Sequence, residues 1–581
     1  MDVLLKVFML FGGLAFFLYG MNVLSGSLSK LAGGSLERAL KRMTSNRFAG
    51  MGLGAGITIA IQSSSAMTVM LVGLVNSGIM TLGQTIGVIM GSNIGTTLTP
   101  WIFSMSGIEG SGWIALLKPE NFSLVVALLG IIMIMMGKKN KHKDIGAICV
   151  GFAILMYGMK LMGDSVDGLE NSPVFGEIIS VFENPLLGVL FGAVVTGIIQ
   201  SSAASVAMLQ ALAAGGGISY GVAIPIIMGQ NIGTCVTALI SSIGVSRNAK
   251  KVSVVHITFN LIGTAVCLIL FFGLNAMFHF SFTSLPIDGF GIALVHTIFN
   301  IFTTAILCPF TKQLEAIAHK VIKPSKKDTE GAFLDERLLR TPSVAVSEAV
   351  AMTGKMASVA QRSILSAIEQ FKNYSDKTGE AIIKDEDELD NYEDKLGSFL
   401  VRLSSSALTD TDSRQVSKLL HTIGDFERLG DHAVELQKGA EEIRDKKITF
   451  SPEATIELQT LEAAITEILE LTIDAFNTND RKLAQHVEPL EQVIDKLIAQ
   501  AKNNHIERLQ AGKCTIKTGF VQADLLASYE RISDHCSNIA VAVIETQTGS
   551  FDTHQYLNEA KESGSHHFAE HYAVYAKKYG I

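Results

Sequence analysis

Long apolar runs dominate the first 310 residues of this 581-residue chain. About 20 apolar residues suffice to cross the ~30 Å of hydrocarbon in a membrane. Runs of this kind lie at 3–24, 82–100, 121–137, 145–163, 219–243, 252–273 and 289–310. The first run begins with Asp2 and lacks both a basic start and a small-residue cleavage site, so we interpret it as a membrane span and not a signal peptide. The pattern predicts an all-α, polytopic membrane domain over residues 1–310.

This membrane half repeats itself without a gap, with a constant offset of 138 residues. The two copies cover about 5–100 and 143–243, and such a register over most of their length is not expected by chance. The matched segments are Tyr19-Gly20-Met21 with Tyr157-Gly158-Met159, Gln62-Ser63-Ser64 with Gln200-Ser201-Ser202, and Gly91-x-Asn93-Ile94-Gly95-Thr96 with Gly229-x-Asn231-Ile232-Gly233-Thr234. The sequence therefore contains an internal duplication.

Charges between the matched segments indicate how the copies are oriented. Residues 30–47 carry five basic side chains and one acidic one, whereas the equivalent part of the second copy, 164–183, carries five acidic and no basic ones. Because basic loops stay in the cytoplasm, the first stretch is predicted inside and the second outside. The copies are then inverted about the membrane plane, an arrangement typical of secondary transporters with the binding site at the repeat interface.

A shorter repeat follows, in which His256 and Asn260 match His296 and Asn300. Histidine and asparagine four residues apart share one face of a helix. These side chains could line the transport core, or they could serve as hydrogen-bond partners between helices. The sequence leaves both interpretations open.

An uncharged polar cluster interrupts the apolar segments 48–78 and 186–216. Polar side chains at membrane depth are tolerated where they face protein or a water-filled cavity. Helices that break here would present free backbone N–H groups to an anion, while hydroxyl and amide oxygens suit Na⁺. The alternative is a packing motif of small residues. Since the cluster contains no cationic side chain, a bound anion would depend on a co-bound cation for positive charge.

These motifs resemble those of the type II sodium/phosphate cotransporters, over roughly residues 5–310. The resemblance implies two re-entrant hairpins whose tips bind inorganic phosphate and sodium ion. The implied binding residues are Gln62, Ser63, Ser64, Ser65, Asn93, Thr96, Gln200, Ser201, Ser202, Asn231 and Thr234. One departure is Ala203, which stands where the family has a third serine, although Ser205 is close by.

The rest of the chain has a different composition. Only 26 of the 102 charged residues precede residue 311, and the remaining 271 residues carry a net charge of −12. An acidic balance of this kind argues against nucleic-acid binding, and six scattered cysteines without a CxxC argue against a disulfide framework or a cysteine-type zinc site. We predict a linker at 311–343, a helical soluble domain at 344–548 and a tail at 549–581.

The soluble domain is also duplicated, with an offset of 101 to 103 residues. Carboxylates recur at helical spacing in both copies. They are Asp387, Asp390, Glu427 and Asp431 in the first copy, and Glu488, Glu491, Glu530 and Asp534 in the second. Like charges at i, i+4 repel unless a cation lies between them, so each set could bind a divalent or transition metal. A solvated acidic face paired with Arg428 and Arg531 is the alternative.

The duplicated E-R-[LI]-[GS]-D-H segments resemble PhoU, whose domain is a pair of three-helix bundles with acidic metal motifs. The resemblance implies a phosphate-linked regulator on the cytoplasmic side of a bacterial inner membrane. The expected function is sodium-coupled transport of inorganic phosphate by a non-enzymatic, lipid-embedded protein, either alone or as a homo-oligomer. A membrane-held phosphate sensor without net transport and a phosphate exporter are the alternatives.

Overall fold

The computed structural model describes residues 2–32, 46–76, 80–105, 119–137, 140–166, 173–323, 334–406, 408–548 and 566–581. Within these ranges the chain is almost entirely helical, and its only β-type pairing is an isolated bridge between Ser219 and Pro286. The all-α prediction is confirmed. Two compact units emerge, Met1–Val344 and Ala345–Ile581.

Fifteen helices of the first unit are described. They are α1 (Asp2–Ala32), α2 (Arg47–Ile61), α3 (Ser64–Asn76), α4 (Leu82–Thr96), α5 (Leu98–Ser104), α6 (Pro119–Met136), α7 (Asn140–Val166), α8 (Pro173–Val181), α9 (Pro185–Ile199), α10 (Ser202–Ala214), α11 (Tyr220–Gly233), α12 (Cys235–Ser241), α13 (Arg247–Phe278), α14 (Gly289–Leu307) and α15 (Thr311–Val321). Helix α2 matches α9 at the sequence offset, and α3 matches α10 in the same way.

Among the described residues of this unit, five segments are long and apolar enough to cross a membrane. They are Leu4–Leu31, Asn140–Val166, Tyr220–Ser241, Arg247–Phe278 and Gly289–Val321. The predicted span 82–100 is instead divided into α4 and α5 at Thr97, and the predicted span 121–137 falls in the shorter helix α6. Many leucine, isoleucine and phenylalanine side chains of the unit are exposed, as expected for a surface that faces lipid.

Glycines set the closest helix contacts. Helix α1 packs along its counterpart α7, where a Cβ on Gly13 would lie 2.8 Å from the Gly158 carbonyl oxygen and one on Gly20 would lie 2.6 Å from that of Gly151. At the offset of 138 residues Gly13 matches Gly151 and Gly20 matches Gly158, so each glycine contacts the counterpart of the other. Close approach of backbones through small residues is how helices associate in lipid, where burial of apolar surface gives no net gain.

The second unit contains two sets of long helices and one additional C-terminal helix. The helices are α16 (Pro342–Glu369), α17 (Asp376–Ser404), α18 (Asp410–Asp445), α19 (Pro452–Thr478), α20 (Arg481–Ala484), α21 (Val487–Gln510), α22 (Ile516–Thr548) and α23 (His566–Tyr579). Helix α18 packs along α22 and joins the sets. Fully buried Leu389, Phe426 and Ile465 belong to the core, where the rings of Phe426 and Phe476 meet edge to face at 5.0 Å.

Helix α23 lies in the region predicted only as a tail. It packs on α21, and its Lys578 Nζ is 2.7 Å from Glu467 Oε1 on α19. The rings of His571 and His486 are in contact, tilted by 48° with centroids 3.7 Å apart. In the first set, an ion pair joins α16 to α17. Two guanidinium nitrogens of Arg362 lie 2.6 and 3.0 Å from the carboxylate oxygens of Asp385.

Candidate functional site

Each glutamine of the duplicated motif marks a break between two helices. Helix α2 ends before Gln62, which has a φ of +52°, and α9 ends before Gln200, which has a φ of +58°. This left-handed conformation is uncommon for a residue with a side chain and often marks functional sites. The Gln62 side chain is tied on both sides, since its amide donates to the Ile59 carbonyl at 2.7 Å and its oxygen accepts from Thr99 at 2.8 Å.

The serines after each glutamine begin the next helix. The hydroxyl of Ser63 accepts from the backbone N–H of Ala66 at 3.1 Å, and that of Ser201 accepts from Ala204 at 3.3 Å. Because these side chains cap α3 and α10, they fix where the helices start. The first backbone N–H groups of a helix have no partner within it and carry partial positive charge.

Both helix starts border one cavity of about 220 Å³. Its lining comes from both copies of the repeat and contains no charged side chain among the residues described. The lining residues are Leu18, Met21, Asn22, Ser25, Thr58, Gln62, Ser63, Ser64, Ser65, Thr96, Thr99, Gln200, Ser201, Ser202 and Ala203. Eight of the eleven residues predicted to bind phosphate or sodium are therefore brought together.

The other three predicted residues are not among those that line the cavity. The Asn93 amide donates to Asn260 Oδ1 at 3.3 Å, and the Asn231 amide donates to Asn300 Oδ1 at 2.7 Å. Thr234 donates to the Asn231 carbonyl at 2.6 Å. These contacts link each Gly-x-Asn motif to one of the two His-x-x-x-Asn helices, as the interpretation of interhelical hydrogen bonding expects.

Sequence reasoning missed four polar residues of the cavity: Asn22, Ser25, Thr58 and Thr99. Ser25 on α1 donates to the Ile61 carbonyl at 2.6 Å, next to the break, and Thr58 lies 2.7 Å from the Ser92 hydroxyl. Thr58 could have been found because its counterpart in the second copy is also a threonine, Thr196. Asn22 has no such signal, since its counterpart is Lys160.

The second copy contains buried oxygens that lack partners. Among the described residues, the Thr196 and Ser205 hydroxyls and the side-chain Oε1 of Gln230 are buried without a hydrogen bond. Gln230 donates to the Ser205 carbonyl at 3.0 Å, so these two residues are neighbours. In the first copy the equivalents of Thr196 and Gln230, which are Thr58 and Ser92, bond to each other. Unpartnered buried oxygens are costly, and a hard cation or a water would satisfy them.

The carboxylates of the second unit have unequal environments. Asp387 and Asp390 on α17 are exposed, whereas their counterparts Glu488 and Glu491 on α21 are buried. Burial, with nearby Asp431 as the next cause, raises the pKa of Glu427. Asp390 on α17 also raises the pKa of Glu427, so these two carboxylates are close enough to interact across helices α17 and α18.

Basic side chains pair with several of the same carboxylates. Arg428 reaches Asp431 at 2.9 Å and Arg531 reaches Asp534 at 3.5 Å, while Lys502 lies 3.0 Å from Glu530. Burial raises the pKa of Asp534. In the ranges that the structure describes, no group of three or more His, Cys, Asp or Glu side chains is arranged to hold a metal ion. Metal binding at these eight carboxylates stays a prediction.

The histidines of the two E-R-x-x-D-H segments meet each other. The rings of His432 and His535 lie 5.6 Å apart, where α18 packs along α22. Each ring contacts a different carboxylate, Glu435 at 2.7 Å and Asp425 at 2.8 Å. The duplicated motif thus contributes to the junction of the two helix sets.

A helical membrane unit with a polar cavity at paired helix breaks, followed by a helical second unit, defines a membrane transporter with an appended domain. The Na⁺/Pi-cotransporter family model matches residues 16–164 and 154–300, and the PhoU domain model matches 353–439 and 458–543. The chain belongs to the Na⁺/Pi-cotransporter family and carries a PhoU domain, which confirms both predicted resemblances.

Relatives match over different lengths. "Putative inorganic phosphate export protein YjbB" of Salmonella typhimurium is 22% identical over 93% of this chain and 98% of its own length. "Uncharacterized protein YqeW" of Bacillus subtilis is 27% identical over 54% of this chain and 96% of its own. "Sodium-dependent phosphate transport protein 2A" of Rattus norvegicus is 38% identical, over 18% of this chain and 16% of its own. A crystal structure of PhoU from Pseudomonas aeruginosa aligns with 36% of the chain at 20% identity, with a TM-score of 0.34.

Proposed function

We propose that this protein carries inorganic phosphate across a bacterial inner membrane, coupled to sodium, with its PhoU-like domain in the cytoplasm. The observation that carries the proposal is the uncharged polar cavity between the starts of α3 and α10. Two helix N-termini that meet at one cavity supply N–H donors and positive potential for an anion. The geometry fits a small tetrahedral oxyanion better than an apolar substrate.

Alternating access would follow from the inverted repeats. In this proposal α2–α3 and α9–α10 are re-entrant hairpins that enter from opposite faces and touch at their tips. Rocking of one copy against the other would expose the same cavity to each side in turn. Binding phosphate from both copies at once couples its presence to their relative position.

Sodium coupling is supported by what the cavity lacks. Its described lining offers a phosphate no cationic side chain, so a co-bound cation would provide the compensating charge. Phosphate affinity would then rise with sodium, and sodium affinity with phosphate, by the same factor. The unpartnered oxygens of Thr196, Ser205 and Gln230 are suitable sodium ligands.

Export is the second candidate function, since a relative that matches 93% of this chain is named for phosphate export. The same cavity can serve either direction because the gradients decide the net flux.

Flux of ³²P-phosphate in proteoliposomes, with sodium, pH and phosphate varied on each side, tests both uptake and export. We expect sodium-dependent flux that is saturable in phosphate. Flux that is unchanged without sodium would contradict coupling, and absence of flux under every gradient would favour a sensor.

Replacing Thr196 by valine should weaken sodium binding selectively. Valine has the same shape but lacks the hydroxyl, so it removes one oxygen without opening a cavity. We expect about a tenfold rise in the sodium concentration for half-maximal flux, the value for a lost bond to a charged group. The maximal rate at saturating sodium should change little.

Thr264→Val is the matched control for that prediction. Thr264 is also buried in a membrane helix, but its hydroxyl already has a partner, since it donates to the Met228 carbonyl at 3.4 Å. Equal sodium dependence in the Thr196 and Thr264 variants would argue against a sodium ligand at position 196.

A further inference from the structure

A short piece of the predicted linker is buried in the first unit. Asp335 is 3% exposed and Leu338 is 0% exposed, although both belong to the charged segment 311–343. Asp335 caps a 3₁₀ turn, Glu336–Arg340, through its hydrogen bond from the Arg337 backbone N–H at 2.9 Å. Helix α16 begins at Pro342, so this turn immediately precedes the second unit.

The turn binds the far end of the helix that carries the first serine motif. The amide of Asn76, the last residue of α3, donates to Asp335 Oδ2 at 2.8 Å. The carbonyl oxygen of the same Asn76 side chain accepts from the backbone N–H of Ser246 at 2.8 Å. One carboxamide thus ties α3 both to the linker and to the start of α13.

Leu338 adds an apolar contact one turn earlier on α3. A Cβ built on Gly73 would lie 2.8 Å from Leu338 Cδ2, so the absence of a side chain at Gly73 makes room for the leucine. Asn76 and Gly73 are three residues apart and share one helix face. Their separation matches that of Asp335 and Leu338.

Arg337 extends the contact to the second copy of the repeat. Its guanidinium lies 3.1 Å from Asp335 Oδ1 and donates to the Ile243 carbonyl, just after α12. The turn therefore bridges α3 of the first copy and the segment after α12 of the second. The two copies are the parts that must move relative to each other in alternating access.

The residues that contact the turn are present in only one copy of the repeat. The residues that match Gly73 and Asn76 at the offset are Ala211 and Ala214. An alanine has neither the space for a leucine nor a carboxamide for a carboxylate. The docking site exists on α3 and not on its counterpart α10, as a site specific to a single linker requires.

We propose that residues 335–338, which we call the strap, position α3 and thereby control how readily the first serine motif moves during transport. The proposal rests on the proposed transport function. Asp335, Arg337 and Leu338 are positioning residues, because they act on the cavity only through α3. A movement of α16, which follows the strap in the sequence, would form or break the contacts of the strap with α3 and so alter the transport rate.

The test measures α3 directly, in the full-length protein in nanodiscs. We expect Asp335→Ala and Leu338→Ala to increase amide hydrogen exchange in residues 64–76 at least tenfold. In proteoliposomes the same variants should change the maximal phosphate flux several-fold, with less than a twofold change in the phosphate KM. Gln313→Ala, which changes an exposed side chain on α15 outside the strap, should match the unmodified protein in both measurements.

A pair of exchanged residues separates positioning from simple destabilisation. Asn76→Asp with Asp335→Asn reverses the donor and acceptor of the hydrogen bond, so the double variant should recover slow exchange and normal flux where each single variant does not. Unchanged exchange in both the Asp335→Ala and the Leu338→Ala proteins would overturn the strap. Absence of flux in the unmodified protein would refute transport but leave the exchange test decisive.

Discussion

Substituting alanine for both Ser64 and Ser202 should abolish measurable phosphate flux, while either change alone should raise the phosphate KM about 10- to 100-fold. Both serines line the cavity and begin their helices, α3 and α10. A hydrogen bond to a charged group contributes about 1.5–3 kcal/mol, which corresponds to that range of affinity. Because both hydroxyls would bind the same phosphate, their effects are coupled, and the double variant should lose more affinity than either single variant.

Ser64 and Ser202 follow the capping residues of their helices and are not caps themselves. Ser63 and Ser201 accept backbone hydrogen bonds, so their replacement would also shorten or fray a helix. Ser64 and Ser202 are 8% and 5% exposed, and alanine at these sites keeps helix propensity high. The helices should therefore remain folded, and binding should be what changes.

Flux and thermal unfolding measured on the same preparations check the outcome. Ser284→Ala, in the exposed 3₁₀ turn Ser281–Ser284, is a control expected to behave as the unmodified protein. A double variant that transports phosphate with unchanged KM would show that the cavity between α3 and α10 is not the phosphate site.

The position of the cavity could be predicted from the sequence, because its signal is local and duplicated. Polar residues at Gln62 and Gln200 stand in segments without charges, and only a break or a cavity accommodates them. The role of Asn93, in contrast, could not be predicted from the sequence. A buried asparagine can bind a ligand or another side chain, and the structure shows Asn260, a residue 167 positions away, as its partner.

Neither the strap nor α23 could be predicted from the sequence, for a related reason. The segment 311–343 is charged and contains two prolines, which favours a linker, and the burial of Leu338 depends on space left at Gly73 on a distant helix. Helix α23 is short, and short helices depend on packing for stability. Its packing partners are Glu467 on α19 and His486 in the turn before α21, so no periodicity within the tail could reveal them.

Replacing Gly91 or Gly229 by alanine should prevent the first unit from assembling. A Cβ on Gly91 would lie 1.9 Å from the Met51 carbonyl oxygen, and one on Gly229 would lie 2.0 Å from that of Val189. Both distances are far below van der Waals contact, and the obstacle is backbone that cannot rotate away. Helix α2 would have to separate from α4, or α9 from α11, so we expect a cost above the 1–3 kcal/mol typical of an overpacked core.

Gly56→Ala provides the control, because Gly56 lies on α2 beside the same contact but a Cβ there would meet nothing within 4 Å. Alanine is about 1 kcal/mol better than glycine inside a helix, so this variant should be neutral or slightly stabilised. Thermal unfolding and size-exclusion profiles in detergent would measure the difference. If Gly91→Ala and Gly56→Ala unfold at the same temperature, the close crossing of α2 and α4 does not hold the site together. If Gly91→Ala and Gly229→Ala each prevent assembly while Gly56→Ala does not, each copy needs its own close helix contact at a glycine to support the helix break at the cavity.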